Sequence, residues 1–236
     1  MSTLKIIATS LLAYLLISGT SQAATCQSHS SNSRVTLIEL YTSEGCSSCP
    51  PADRWLSGLM PNVVAAEEVV PLAFHVDYWD RLGWRDRFAD AAYTVRQNAY
   101  AKISGSTFVF TPQVIVAGRN DNAWLNKSSV KSEIGKAHNL APDAIFELRQ
   151  QSVTAGKLEF EVQAQLQQGL SFGDVRVYAA LFQNGLVSEV ARGENKGRQL
   201  HHDYVVRNLL TSNAPDSAGS LVFKINLPCL MMRMQG

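Results

Sequence analysis

Cys46-Ser-Ser-Cys49 is the part of this chain best suited to chemistry. Two cysteines separated by two residues can close a disulfide across one turn of backbone. Such a pair supports thiol–disulfide exchange, in which one thiolate attacks and the second thiol resolves the mixed disulfide. The same spacing also serves a purely structural disulfide or half of a metal site. A zinc site needs a second CxxC or paired histidines, and no such set has usable spacing here. Copper is a further alternative, with His75 completing a set with Cys46 and Cys49.

The flanking residues say how the pair is held. Val35-Thr-Leu-Ile-Glu-Leu-Tyr41 reads as a buried strand, and Pro50-Pro-Ala-Asp-Arg-Trp-Leu-Ser-Gly-Leu-Met60 as a helix begun by proline and stopped by Pro61. Cys46 at the mouth of that helix is the expected nucleophile, because a helix N-terminus lowers a thiol pKa. Gly45 lets the backbone turn there without a Cβ clash. Cys49, one turn later, is the resolving thiol and is expected to be the more buried. Glu39, between Ile38 and Leu40, would be desolvated on a central strand, which raises a carboxyl pKa and suits proton transfer. The alternative is a carboxylate facing solvent or paired with an arginine.

Val69–Asp77 is a second strand of the continuous apolar kind found in buried parallel sheets. His75 and Asp77 alternate on it, and with Tyr78, Trp79 and Trp84 they could line a groove beside Cys46. Between Arg85 and Ile103 the period becomes helical, with Phe88, Ala92, Val95, Ala99 and Ile103 on one stripe. Phe108–Val116 is a strand interrupted at Thr111-Pro112, 117–122 is turn chemistry, and Asn126 caps a helix to His138. Strand–helix alternation of this kind makes an α/β layer structure.

After Pro142 the texture changes. Lys157–Leu166 alternates apolar and polar residues, as a half-buried antiparallel strand does, and 175–182, 185–190, 201–206 and 221–227 continue the style. The expected organisation is a unit at 33–140 followed by an all-β, sandwich-like unit at 145–236. His201-His202 is placed on a surface strand, and Glu194, Asn195 and Arg198 in a Gly-rich loop are candidates for a partner surface.

Cys46-Ser-Ser-Cys49, Thr111-Pro112 and Phe74-His-Val-Asp-Tyr-Trp-Asp80, in this order, resemble a family of exported bacterial thioredoxin-like proteins of uncharacterised function. The resemblance extends through Asn184–Asn195 and His202–Arg207, so it covers nearly the whole mature chain. It implies an α/β thioredoxin-like domain plus a C-terminal all-β domain. It also implies a cis peptide at Thr111-Pro112 facing the disulfide, where an ordinary trans proline is the alternative. Aligned with one extra residue, Glu39 falls where thioredoxins carry the acid that manages the resolving thiol's proton. The stretch from Cys49 to Pro112 is longer than in a minimal thioredoxin, with the extra length at 78–87. The tail from Pro228 to Gly236 departs from the family pattern, which has a further turn and closing strand.

Lys5, the apolar run Ile6–Ile17 and the small residues at 21–24 form a signal peptide over 1–24, cleaved near Ala23 or Ala24. The mature chain is then periplasmic or secreted, with no membrane span. Cys26 and Cys229 flank the fold, and leftover cysteines in exported chains commonly pair. Of the 236 residues, 46% are hydrophobic and 17% charged, enough for a sizeable core, and the net charge of +1 gives no basic stripe for nucleic acid. The leading expectation is an exported thiol–disulfide oxidoreductase without a cofactor, acting on protein or small-molecule thiols and disulfides and served by a redox-recycling partner. The alternatives are a copper chaperone using Cys46, Cys49 and His75, and a redox-inert interaction module with a structural disulfide.

Overall fold

A computed structural model describes residues 27–60, 62, 64–120, 124, 126–154, 156–212 and 219–226. The expected leader with its cleavage site, Cys26, Cys229 and the tail from 228 lie outside these residues. The elements run β1 (Gln27–His29), β2 (Thr36–Thr42), α1 (Pro50–Ser57), β3 (Val69–His75), α2 (Ala91–Ile103), β4 (Gln113–Val116), β5 (Arg119–Asn120) and α3 (Lys127–His138). Then follow β6 (Ala144–Thr154), β7 (Lys157–Leu166), β8 (Tyr178–Gln183), β9 (Leu186–Glu189), β10 (Gln199–His202), β11 (Val205–Thr211) and β12 (Ser220–Asn226).

The molecule is mixed α/β, with more sheet than helix. A six-stranded sheet has the order β5-β4-β2-β3-β11-β8, a four-stranded sheet the order β1-β6-β7-β12, and β9 pairs with β10. Strands β2 and β3 are parallel, joined through α1, and both are buried. Their alternation sends Ile38, Leu40 and Ala73 to one face, where they pack with Ala52 and Leu56 of α1 and Val130 and Ile134 of α3. Tyr41, Leu72 and Phe74 point to the other face, against Tyr93 of α2.

The expected division into an α/β unit and a separate all-β unit is not how the sheets are built. Strand β11 runs parallel to β3 through the pair Val205–Ala73, and the Ala73 N–H donates to the Tyr204 carbonyl at 2.8 Å. Strand β8 pairs antiparallel with β11 and closes that edge. Phe160, Val162, Leu221 and Phe223 of the four-stranded sheet pack against Ala179, Leu181 and Leu210 of β8 and β11, so the two sheets share a core. Among the described residues no clear separate β domain is set apart. The exposed β3 edge that such a division would leave is an unpaired row of backbone groups, and the C-terminal half supplies its partner.

Local expectations also shift. Helix α1 ends at Ser57, three residues before Met60, because Gly58 caps it. Helix α2 turns the predicted stripe outward: Val95 is 69% and Ile103 81% exposed, while Tyr93, Gln97 and Ala101 are buried. Polar groups win the inner face because each finds a buried partner. The Tyr93 hydroxyl donates to the Val206 carbonyl, and the Gln97 amide to Phe110 O and Gln113 Oε1.

Candidate functional site

Strands β2 and β3 end side by side, with Thr42 paired to His75, and the chain leaving β2 makes the CxxC turn. Cys46 N–H donates to Ser43 O and Cys49 N–H to Cys46 O, winding the segment before α1 begins at Pro50. Cys46 and Cys49 form a disulfide with Cα atoms 5.4 Å apart. Both cysteines are fully buried, so Cys49 is not the more hidden of the two. Gly45 has no left-handed backbone; it is needed because a Cβ there would lie 3.1 Å from Trp79 Cβ.

The Thr111–Pro112 peptide is cis and opens β4, the neighbour of β2. Trp79 joins it to the CxxC turn, since its indole N–H donates to Thr111 Oγ1 at 2.7 Å while its Cβ covers Gly45. Trp84 donates its indole N–H to Glu44 Oε2, also at 2.7 Å. The segment from Tyr78 to Arg87, with a 3₁₀ turn at Asp80–Leu82, therefore carries side chains that wall the site.

A strap from far along the chain lies over the CxxC turn. The buried Asn195 amide donates to the carbonyls of Glu44 and Cys46, both at 2.9 Å, and Arg198 Nη1 donates to Asn195 Oδ1 at 3.0 Å. Glu194 accepts the Ser47 N–H, a bond that holds its carboxyl below the usual range. Gly193 has φ +75°, and a Cβ there would meet Trp84 Cβ at 3.1 Å. The loop offered by the sequence as an outward partner surface is thus partly turned inward onto the cysteines.

Beneath the turn lies a set of buried ionisable groups that sequence reasoning mostly missed. His75 Nδ1 is 2.6 Å from Asp86 Oδ2, and the Glu44 N–H donates to the same Asp86 oxygen at 2.8 Å. The His202 ring meets the His75 ring edge to face at 4.9 Å. Its Nε2 is 3.5 Å from Glu44 Oε1 and its Nδ1 4.0 Å from Asp53 Oδ2, ion-pair separations too long for hydrogen bonds. Burial opposes charge on His75, but Asp86 outweighs it and raises the imidazole above its ordinary value. Burial likewise opposes charge on Asp86, yet His75 and the N–H groups of Glu44 and Phe88 hold its carboxyl low. Glu44 is also held low in spite of burial, by His202 and Trp84. Asp53 goes the other way: burial raises its carboxyl, and the histidines offset only part of that.

Glu39 is not among these residues. It lies on the α2 face of the sheet, opposite α1, and accepts from Arg96 Nε at 2.7 Å. One residue of register decides this, because alternate side chains of a strand point to opposite faces. Of the readings open for Glu39, the pairing with an arginine is the one found, and the acid carried by α1 is Asp53. Asp77 also leaves the expected groove, accepting from Thr94 Oγ1 of α2 at 2.5 Å. His75 reaches the right face but is engaged by Asp86. Among the described residues, no group of three or more His, Cys, Asp or Glu is placed to hold a metal ion. Of the residues missed, Glu44 and Asp53 carried one signal: both flank the CxxC within four residues. His202, Asp86 and Asn195 carried no signal of proximity.

Among the described residues no helix is long and apolar enough to cross a membrane. The chain is similar to an Agrobacterium tumefaciens protein of known crystal structure, at 27% identity and a TM-score of 0.57, covering 86% of this chain and 82% of that one. It is similar in fold to HBP35 of Porphyromonas gingivalis, at 16% identity and a TM-score of 0.55, covering 84% of this chain and 65% of that one. No curated protein matches the sequence. A family model described as a protein of unknown function (DUF1223) matches residues 37–235, nearly the whole length over which the CxxC turn, the strap and the buried histidines are built, and the chain belongs to that family.

Proposed function

We propose that this chain is an exported, thioredoxin-like thiol–disulfide oxidoreductase acting on protein or small-molecule thiols, with Cys46 attacking and Cys49 resolving. The observation that carries the reading is Trp79, which covers Gly45 at the start of the CxxC turn and bonds the Thr111 side chain, so that the disulfide turn and the Thr111–Pro112 segment opening β4 share one wall. A purely structural bridge needs no such neighbour, whereas exchange needs a backbone edge beside the sulfurs for an extended partner.

In the reduced protein the Cys46 thiolate attacks one sulfur of a substrate disulfide, forming a mixed disulfide and releasing the other sulfur as a thiolate. Cys49, deprotonated, then attacks Cys46 Sγ, closes the Cys46–Cys49 bond and releases the second substrate thiolate. Two electrons pass to the substrate, and two protons follow to its thiols. The reverse sequence oxidises a substrate dithiol, and the reduction potential sets the direction. The export signal expected over 1–24 suits a compartment where such a pair is recycled by a redox partner.

The test is Cys49→Ser, which leaves the mixed disulfide unresolved. Trapped partners that disappear in Cys46→Ser, together with disulfide exchange by the wild type, are the expected result. No trapped species and no exchange above background defeats the reading. A structural bridge is the second reading, favoured by the complete burial of both cysteines. It predicts a potential below about −300 mV, where an exchange-active pair lies above it.

A further inference from the structure

Opening a buried disulfide creates a problem of charge. When a thiolate attacks Cys46 Sγ, the Cys46–Cys49 bond breaks and its electron pair leaves on Cys49 as a thiolate. In an apolar setting that charge is costly unless a proton arrives with it. Cys49 is fully buried, so the proton has to come from a neighbouring group.

Asp53 is the group so placed. Its backbone N–H donates to Cys49 O at 3.1 Å, and four residues along a helix brings its side chain to the same face as that of Cys49. It is nearly buried, and a small cleft of about 60 Å³ between α1 and β10, lined by Pro50, Arg54 and Leu200 among others, leads to it from the surface. On its inner side stands His202, 2% exposed, with neither ring nitrogen hydrogen-bonded and with Glu44 beyond it. His75 Nε2 and Glu44 Oε1 are buried without hydrogen bonds as well. A structural polar core satisfies its members; buried nitrogens left between carboxylates are a place where protons can be rearranged.

We propose that Asp53 holds the proton that Cys49 takes up when the disulfide opens and returns when it closes, and that His202, Glu44 and the His75–Asp86 pair are positioning residues that keep it supplied. This rests on the oxidoreductase reading above. The step balances: the attacking sulfur bonds Cys46, the electron pair goes to Cys49 Sγ, and one proton passes from Asp53 to that sulfur. The elevated carboxyl of Asp53, raised by burial, means that it keeps its proton above the range of an ordinary carboxylate. The ionisable groups facing His202 are Glu44, Asp53 and His75, with Asp86 held on His75. Arg87 and Arg207 stand across the Phe88 ring that packs on it. Any break in a pH profile belongs to this set rather than to one residue.

The experiment measures opening of the disulfide by dithiothreitol between pH 5 and 9, with each rate divided by the fraction of the reagent present as thiolate. The wild-type corrected rate is expected to fall as pH rises through titration of the set, and to slow in D₂O. Asp53→Asn is expected to lose about a hundredfold at the acid end, the scale of general acid catalysis, and to be flat with pH. His202→Gln is expected to shift the break while near-ultraviolet circular dichroism reports a native core. A flat wild-type profile overturns the proposal without any variant. So does an Asp53→Asn profile that falls in parallel with the wild type, as a merely structural residue would give. If the wild-type disulfide opens and Cys49→Ser traps partners while the wild-type profile is flat, this proposal alone fails. If no thiol opens the disulfide, the oxidoreductase reading fails and carries this one with it.

Discussion

At the level of single residues, Glu39 and Asp53 are both buried carboxylates but have different neighbours. Glu39 is buried but bound to Arg96, whose guanidinium also lies 4.7 Å from the centre of the Tyr178 ring. Arg96→Ala removes the cation paired with Glu39, which is 1% exposed, a loss expected at about 3–5 kcal/mol of stability. Glu39→Gln keeps a hydrogen-bond acceptor and is expected to cost less, about 1–3 kcal/mol. Urea unfolding measures both. The exchange kinetics are the sharper readout: Glu39→Gln should leave their pH profile unchanged, and a shifted break would return Glu39 to the site. Asp53 lies in the first turn of α1, and nothing in its sequence neighbourhood marks it as part of a buried set. Burial beside His202 gives it a meaning that no local pattern encodes.

Among the elements, the strap at 193–198 is bonded across the CxxC turn by Asn195 and Glu194. Asn195 makes two of the bonds that close it over the cysteines, and each is worth about 1 kcal/mol net. Asn195→Ala is therefore expected to increase the open population about ten- to thirtyfold. Alkylation of Cys46 in the reduced protein by iodoacetamide should quicken by a similar factor. An unchanged rate would mean that reagents reach Cys46 by another route. Gly193→Ala acts at the same element by strain, since its φ is +75° and Trp84 leaves no space. Strand and helix identities were largely legible at this scale: β7 at Lys157–Leu166 is found where alternation placed it. Helix α2 was legible as a helix but not in its facing, because an apolar stripe outvotes polar residues only when those residues lack buried partners.

At the scale of the whole molecule, the buried ionisable set ties stability to pH. His75 is raised, so its contribution is complete below about pH 6.5 and is lost as pH rises through its folded value. Asp53, also raised, adds a loss that begins near its unfolded value of about 3.9. Glu44 and Asp86 are lowered, so their contributions are present above about pH 4 and lost as pH falls through their folded values. Stability should therefore peak in the weakly acidic range. Urea midpoints from pH 3 to 9 check this, and His75→Gln, with about 3–5 kcal/mol lost, should flatten the decline above pH 6.5. A maximum at alkaline pH would contradict the assignment of charge within the set.

The Cys46–Cys49 pair and most of the strands were legible in the sequence alone. These depend on spacing and period, which are properties of neighbouring residues. The sequence left Glu39 open between a proton-handling acid and the partner of an arginine, and put His202 on a surface strand. It also set the C-terminal strands apart as a unit of their own. Only the tertiary structure decided that β11 completes the sheet of β3, that Asn195 latches the turn at Cys46, and that His202 meets Asp53. Those contacts join residues some 130 to 150 positions apart, and strand register with burial, rather than local propensity, selects them.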